Sequence, residues 1–182
     1  MTEGGPSRAN AARGSGARLE VAVVRHDGHW RAAGVTDAAV ARWARAGLDA
    51  AALAPAGTYE VSILLTDDHE MQALNRIWRD KDAPTNVLSF PASEDPSEPG
   101  PLGDVALAYQ TTRKEADTMG LALTDHAAHL VVHGVLHLLG FDHEADEEAE
   151  RMEELERQAL AALGIGDPYA ETGEARPVGV SP

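Results

Sequence analysis

Cysteine is absent from the 182 residues, so no disulfide and no thiolate metal site can form, and any metal must be held by His, Asp or Glu. Aromatic residues are scarce, at 4%, which leaves the core to Leu, Val, Ile and Ala. The longest apolar-rich stretch, Leu130 to Phe141, is interrupted by histidines and too short to span a bilayer. The N-terminal stretch MTEGGPSRANAARGSGAR lacks the apolar segment of a secretory signal. These shortages predict a soluble, cytoplasmic protein with no membrane partner.

Positive charge is also in short supply. The formal net charge is −15, and it is unevenly spread. Residues 1–114 hold 12 Lys/Arg against 15 Asp/Glu, a net −3, whereas residues 115–182 hold 3 against 15, a net −12. A protein that grips nucleic acid chiefly by counterion release carries the opposite sign. Any contact with RNA must therefore be local, metal-assisted or arranged by a partner.

What is present reads as one α/β domain. Residues 1–18 are Gly/Ala/Ser/Arg-rich without periodicity and are expected to be a disordered extension, residues 19–165 the folded domain, and residues 166–182 a loose tail. Leu19–Arg25, Tyr59–Leu65, Asn86–Phe90 and Asp104–Ala108 read as strands. Thr36 is placed as the N-cap of an Ala-rich helix to about Leu53, and Thr66 as the cap of a helix through Asp67–Arg79. Further helices are expected over Thr111–Met119, from Thr124 to Gly140, and from about Asp146 to Leu163. Residues 91–101, PASEDPSEPGP, read as a surface loop. The expected fold is one mixed sheet of about four strands packed with about five helices.

Residues 129–143 read HLVVHGVLHLLGFDH, and apolar side chains surround the helix between Leu130 and Leu139, which marks it as buried. His133 and His137 stand at i and i+4, so their rings project from one face one turn apart, close enough to share a tetrahedral ion. His143 lies six residues on, past Gly140, whose tolerance of positive φ lets the chain turn back and bring a third imidazole to the pair. His129 shares the face but lies eight residues from His137, about 12 Å along the axis at 1.5 Å per residue, and is excluded as a ligand. It remains a candidate for orienting a ligand or the substrate.

Three protein ligands leave a fourth coordination position open, the catalytic rather than the structural arrangement. A divalent ion so held, with zinc the expected one, acidifies water and polarises an attacked ester. The spacing follows the zinc-peptidase pattern H-E-x-x-H-x-x-G-x-x-H, except that Gly134 replaces its glutamate. That glutamate is the general base of peptide hydrolysis, so the peptidase reading fails on chemistry.

HGVLHLLGFDH resembles the signature of the YbeY family of bacterial endoribonucleases. LNRIWRDKDAPTNVLSFP, Leu74 to Pro91, is similar to the family's second characteristic stretch, and LGDVALA, Leu102 to Ala108, to its strand-edge motif. The similarity spans roughly residues 19–165. The resemblance implies an α/β metalloprotein, one zinc on His133, His137 and His143, and single-strand-specific cleavage of RNA. It further implies work on small-subunit ribosomal RNA, at the 3′ end of 16S rRNA, and in late 70S ribosome quality control. Arg79 matches the motif arginine of the family, which acts at the active site, and a guanidinium suits a scissile phosphate.

Around these, Thr85, Asn86 and Ser89 are candidates to line the cleft and hydrogen-bond a sugar or phosphate, although turn chemistry after Pro84 accounts equally for the first two. Asp104 and Asp142 are candidates to accept a ligand histidine's N–H. Arg76 and Lys81 widen the cationic patch or are simply solvated. The acidic run Asp142–Glu156 reads as a solvated helix face, with docking of a basic small-subunit ribosomal protein as the alternative. Two rival functions remain: a ribosome-assembly factor with a structural zinc, and a metallohydrolase of another substrate class.

Overall fold

The computed structural model describes residues 16–52, 56–93, 96, 98–143 and 145–170. The first fifteen and last twelve residues of the expected extension and tail, and Leu53, lie outside it. Four strands, β1 (Ala17–Arg25), β2 (Gly57–Thr66), β3 (Val87–Pro91) and β4 (Pro101–Ala108), form one sheet in the order β1-β2-β4-β3. β1, β2 and β4 run parallel and β3 pairs antiparallel to β4 at the edge. The helices are α1 (His29–Ala32), α2 (Asp37–Ala51), α3 (Asp68–Arg79), α4 (Tyr109–Met119), α5 (Leu123–Leu138) and α6 (Asp146–Ala162). This is the mixed α/β sheet the sequence predicts, with one extra helical turn. α1 is too short to show periodicity, and Trp30 anchors it by donating Nε1–H to the Thr66 carbonyl at 2.9 Å.

Strand alternation sorts the sheet into two unequal faces. Tyr59, Val61, Ile63 and Leu65 of β2, with Val105 and Leu107 of β4, join α2, α5 and α6 in the main core. On the other face, α3 covers only one end, where Met71 meets Leu88, Ala106 and Ala108. Glu20, Ala22 and Val24 of β1, Glu60 of β2 and Asp104 of β4 stay exposed there.

Caps follow local chemistry with shifts of one residue or so. Thr36 accepts from the Ala39 amide at 3.2 Å, as predicted. At α3 the cap is Asp67, which accepts from the Glu70 amide at 2.8 Å, rather than Thr66. Thr66 closes β2 instead, fully buried, its hydroxyl donating to Glu70. α5 starts at Leu123 without a side-chain cap, so Thr124 is not one.

Gly134 sets the distance between α5 and the sheet. A Cβ there would stand 2.5 Å from Val105 Cγ1 and 3.2 Å from Ser89 Oγ. The glutamate of a zinc peptidase therefore has no room at this position, a steric reason added to the chemical one.

Candidate metal centre

Helical pitch puts the His133 and His137 rings together at the end of α5, with centroids 4.6 Å apart. α5 ends at Leu138, Gly140 takes φ +86°, and the Phe141 amide returns to the Leu136 carbonyl at 3.1 Å. This left-handed turn swings His143 back until its ring centroid lies 5.1 Å from His137 and 5.7 Å from His133. The Asp142 side chain accepts from the His143 amide at 2.8 Å, which fixes the last ligand's backbone rather than its imidazole.

The donor set fits a metal. One nitrogen from each of the three rings lies within 4.8 Å of the others. His133 Nε2 and His137 Nε2 stand 3.1 Å apart. Two nitrogens on tetrahedral zinc, at bonds of about 2.0–2.1 Å, would stand about 3.3–3.4 Å apart. Burial, and then the neighbouring His133 and His143, push His137 from its ordinary 6.5 down to about 4, against the pull of Asp142 and a hydrogen bond to the Phe141 backbone. His137 is thus neutral near pH 7 and offers a lone pair, the form a cation needs.

The carboxylate behind the site is Glu156, which the sequence placed in a solvated acidic face. Its side chain is 1% exposed. Its Oε1 accepts from His133 Nδ1 at 2.6 Å and its Oε2 from His129 Nε2 at 2.8 Å, and the Tyr169 hydroxyl also donates to Oε2. Burial opposes its ionisation, yet the three donors win and hold it well below the usual carboxylate range. With Nδ1 committed to Glu156, His133 turns Nε2 toward His137, the arrangement of a carboxylate–histidine–metal triad. The clue in the sequence is periodicity: Met152, Glu156, Ala159 and Leu160 share the buried stripe of α6, and an acid on an apolar stripe needs a partner.

The other candidates are dispersed. His129 meets Glu156, so it belongs to the network behind the site and not among the converging imidazoles. Asp104 faces the side of the sheet opposite α5, on β4 beside its register partner Phe90 of β3, and accepts no N–H from His133, His137 or His143. Asn86 is turned to α4, donating to both Glu115 oxygens at 3.2 and 2.9 Å while His126 bonds the same carboxylate at 2.8 Å. Ser89 donates to the Gly134 carbonyl at 3.3 Å, and Thr85 sits half-buried before β3. Arg79 ends α3, exposed, and is not among the residues that line the cavity containing His137. Tyr169, assigned by sequence to the loose tail, is clamped by its ring contact with His129 and by Arg157, which lies over its ring and pairs with Asp167.

A protein-family model described as Endoribonuclease YbeY matches residues 28–164. The chain belongs to the YbeY family. A YbeY relative named Endoribonuclease YbeY, from Azorhizobium caulinodans, is 53% identical over 161 residues, covering 86% of this chain and 99% of its own. Another of the same name, from Paramagnetospirillum magneticum, is 58% identical over 123 residues, covering 64% and 75%. The solution structure of TM1509 from Thermotoga maritima shares the fold, with a TM-score of 0.51 at 19% identity, covering 86% of this chain and all of that one. Tyr169 falls beyond the YbeY match, and Glu156 falls within it.

Proposed function

We propose that this chain is a metal-dependent endoribonuclease that cuts single-stranded RNA, with one zinc ion held by His133, His137 and His143. What carries the reading is the convergence of three imidazoles backed by a buried carboxylate, in a chain of the YbeY family, at a site with no room for the glutamate of a peptidase. When bound, the ion supplies Lewis-acid chemistry, acidifying water and offsetting charge that builds on the phosphate. Around it, Glu156 holds the His133 tautomer and Gly140 sets the approach of His143. Arg79, with no ion pair among the described residues, pairs with the phosphate oxygens as RNA approaches past Pro91–Ala92. Besides Glu156, Asp142 adjoins the rings, one of its oxygens accepting from the His143 amide, and neither is assigned as a general base.

The biological substrate is small-subunit ribosomal RNA, matured at the 3′ end of 16S rRNA in the cytoplasm, with a further part in late 70S ribosome quality control. The exposed acids of α6, such as Glu147, Glu150 and Glu154, suit docking of a basic small-subunit ribosomal protein. No helix among the described residues is long and apolar enough to cross a membrane.

The test is cleavage of a small-subunit rRNA precursor by the zinc-loaded chain and by a folded His137→Ala variant. Cleavage by the first and none by the second is expected. Equal cleavage by both would identify a contaminating nuclease. Chelation separates a catalytic zinc, whose loss ends turnover but spares the fold, from a structural one, whose loss removes cooperative unfolding.

A further inference from the structure

The two most exposed large apolar side chains among the described residues are consecutive. Ile77 is 70% and Trp78 67% exposed at the end of α3, although an indole is among the side chains that gain most from burial. Around them stand Arg76, Arg79 and Lys81, none with an ion pair among the described residues, although Arg25, Arg45, Arg113 and Arg157 are all paired. Asp80, the C-cap of α3, stands between Arg79 and Lys81, and Asp82 beyond them accepts from Gln72 Nε2 at 3.0 Å. Among the described residues, the stretch from Arg76 to Lys81 thus gathers three cations without an ion pair beside an exposed ring.

Trp78 also lines a cavity of about 500 Å³ on the uncovered face of the sheet, together with Leu64, Leu74, Phe90 and Asp104. Phe90 meets the indole edge-on, with centroids 5.7 Å apart at 61°, which leaves an indole face open. Pro91 and Ala92 belong to this cavity and equally to a smaller one that contains His137. The two cavities therefore meet the same end of the edge strand, one on each side of Pro91–Ala92.

We propose that this groove is a nucleotide subsite for single-stranded RNA, in which a base stacks on Trp78 while its phosphates follow Arg76, Arg79 and Lys81 toward the histidines. The inference rests on the nuclease reading and adds how the strand is held. Asp104 on the groove wall repels a phosphate and accepts from a base amino group, so the base enters and the backbone stays outside. Cytosine, which offers an amino group where uracil offers a carbonyl, is the preferred pyrimidine. The acidic remainder of the surface restricts RNA to this path.

The experiment uses the full chain with 2′-O-methyl hexanucleotides of cytosine and of uracil, which lack a 2′-hydroxyl able to attack, and binding is read on mixing. Trp30 and Trp43 are buried, so tryptophan emission reports a base arriving on Trp78. Binding should quench that emission, Trp78→Phe should bind within about threefold of the parent, and Trp78→Ala should bind about tenfold more weakly. Arg76→Ala and Lys81→Ala should each lower the salt slope by about 1. Asp104→Asn should abolish the preference for cytosine. Unchanged binding and cleavage by Trp78→Ala would overturn the subsite, as would a loss of self-association in that variant with RNA affinity intact, which would make the patch a contact between copies. Quenching by a parent chain that cleaves no RNA would sustain the subsite and sink the nuclease reading instead.

Discussion

Glu156 Oε1 accepts a hydrogen bond from His133 Nδ1 at 2.6 Å, and this contact converts an exposed-looking acidic helix into the support of the histidine cluster. It turns Nε2 of His133 toward His137 and raises the ring's basicity. Glu156→Gln keeps the shape but loses the charge. Its affinity for zinc, measured by competition with a chromogenic chelator, should fall about 10–100-fold. An unchanged affinity would show that the carboxylate only fills space.

Tyr169 acts one bond further out, donating to the same carboxylate. Tyr169→Phe removes a single hydrogen bond from a group that keeps two others, so its stability should drop by about 0.5–1.5 kcal/mol in urea unfolding. Zinc affinity should fall less than in Glu156→Gln. A larger loss than in Glu156→Gln would reverse the order of the chain.

Gly134→Ala places a methyl 2.5 Å from Val105 Cγ1 in a fully buried contact. Valine is stiff at χ1 and cannot swing aside, so a loss of about 1–3 kcal/mol is expected. Val105→Ala in the same chain should recover part of it. Two losses that simply add would mean that the helix and sheet do not meet there.

The metal-free protein should weaken in acid. The folded value of His137, about 4, lies below its ordinary 6.5, so between these the unfolded chain takes up a proton that the folded chain refuses. This contribution is fully present above about pH 6.5 and is lost as pH falls through about 4. With solvent screening of a half-buried ring it amounts to about 1 kcal/mol. His137→Asn should flatten the fall in urea midpoint between pH 7 and 4.5, and an equal fall in both proteins would assign it to other groups.

Much of the fold is legible because local rules agree with the final packing. The strands Leu19–Arg25 and Tyr59–Leu65 alternate, Thr36 and Gly120 sit where caps belong, and α5 is apolar around most of its girth because beyond its first turn only the His129–His133–His137 stripe is left half-buried. The shifted cap at Asp67 shows the limit: Thr66 is equally good capping chemistry, but the sheet claims it as the last residue of β2.

The sequence by itself determined the pairing of His133 with His137, because 3.6 residues per turn is a property of the chain alone, and the return of His143, because glycine at 140 accepts positive φ. Tertiary structure decided everything that depends on elements distant in sequence. Which carboxylate meets His133 was open among several acids until α6 packed against α5 and buried Glu156. Asp104 and Asn86 were placed by strand register, since alternate residues point to opposite faces and nothing local says which face holds the helix with the histidines. Proximity along the chain is written in the residues, whereas proximity across the core is settled only when the sheet chooses its sides.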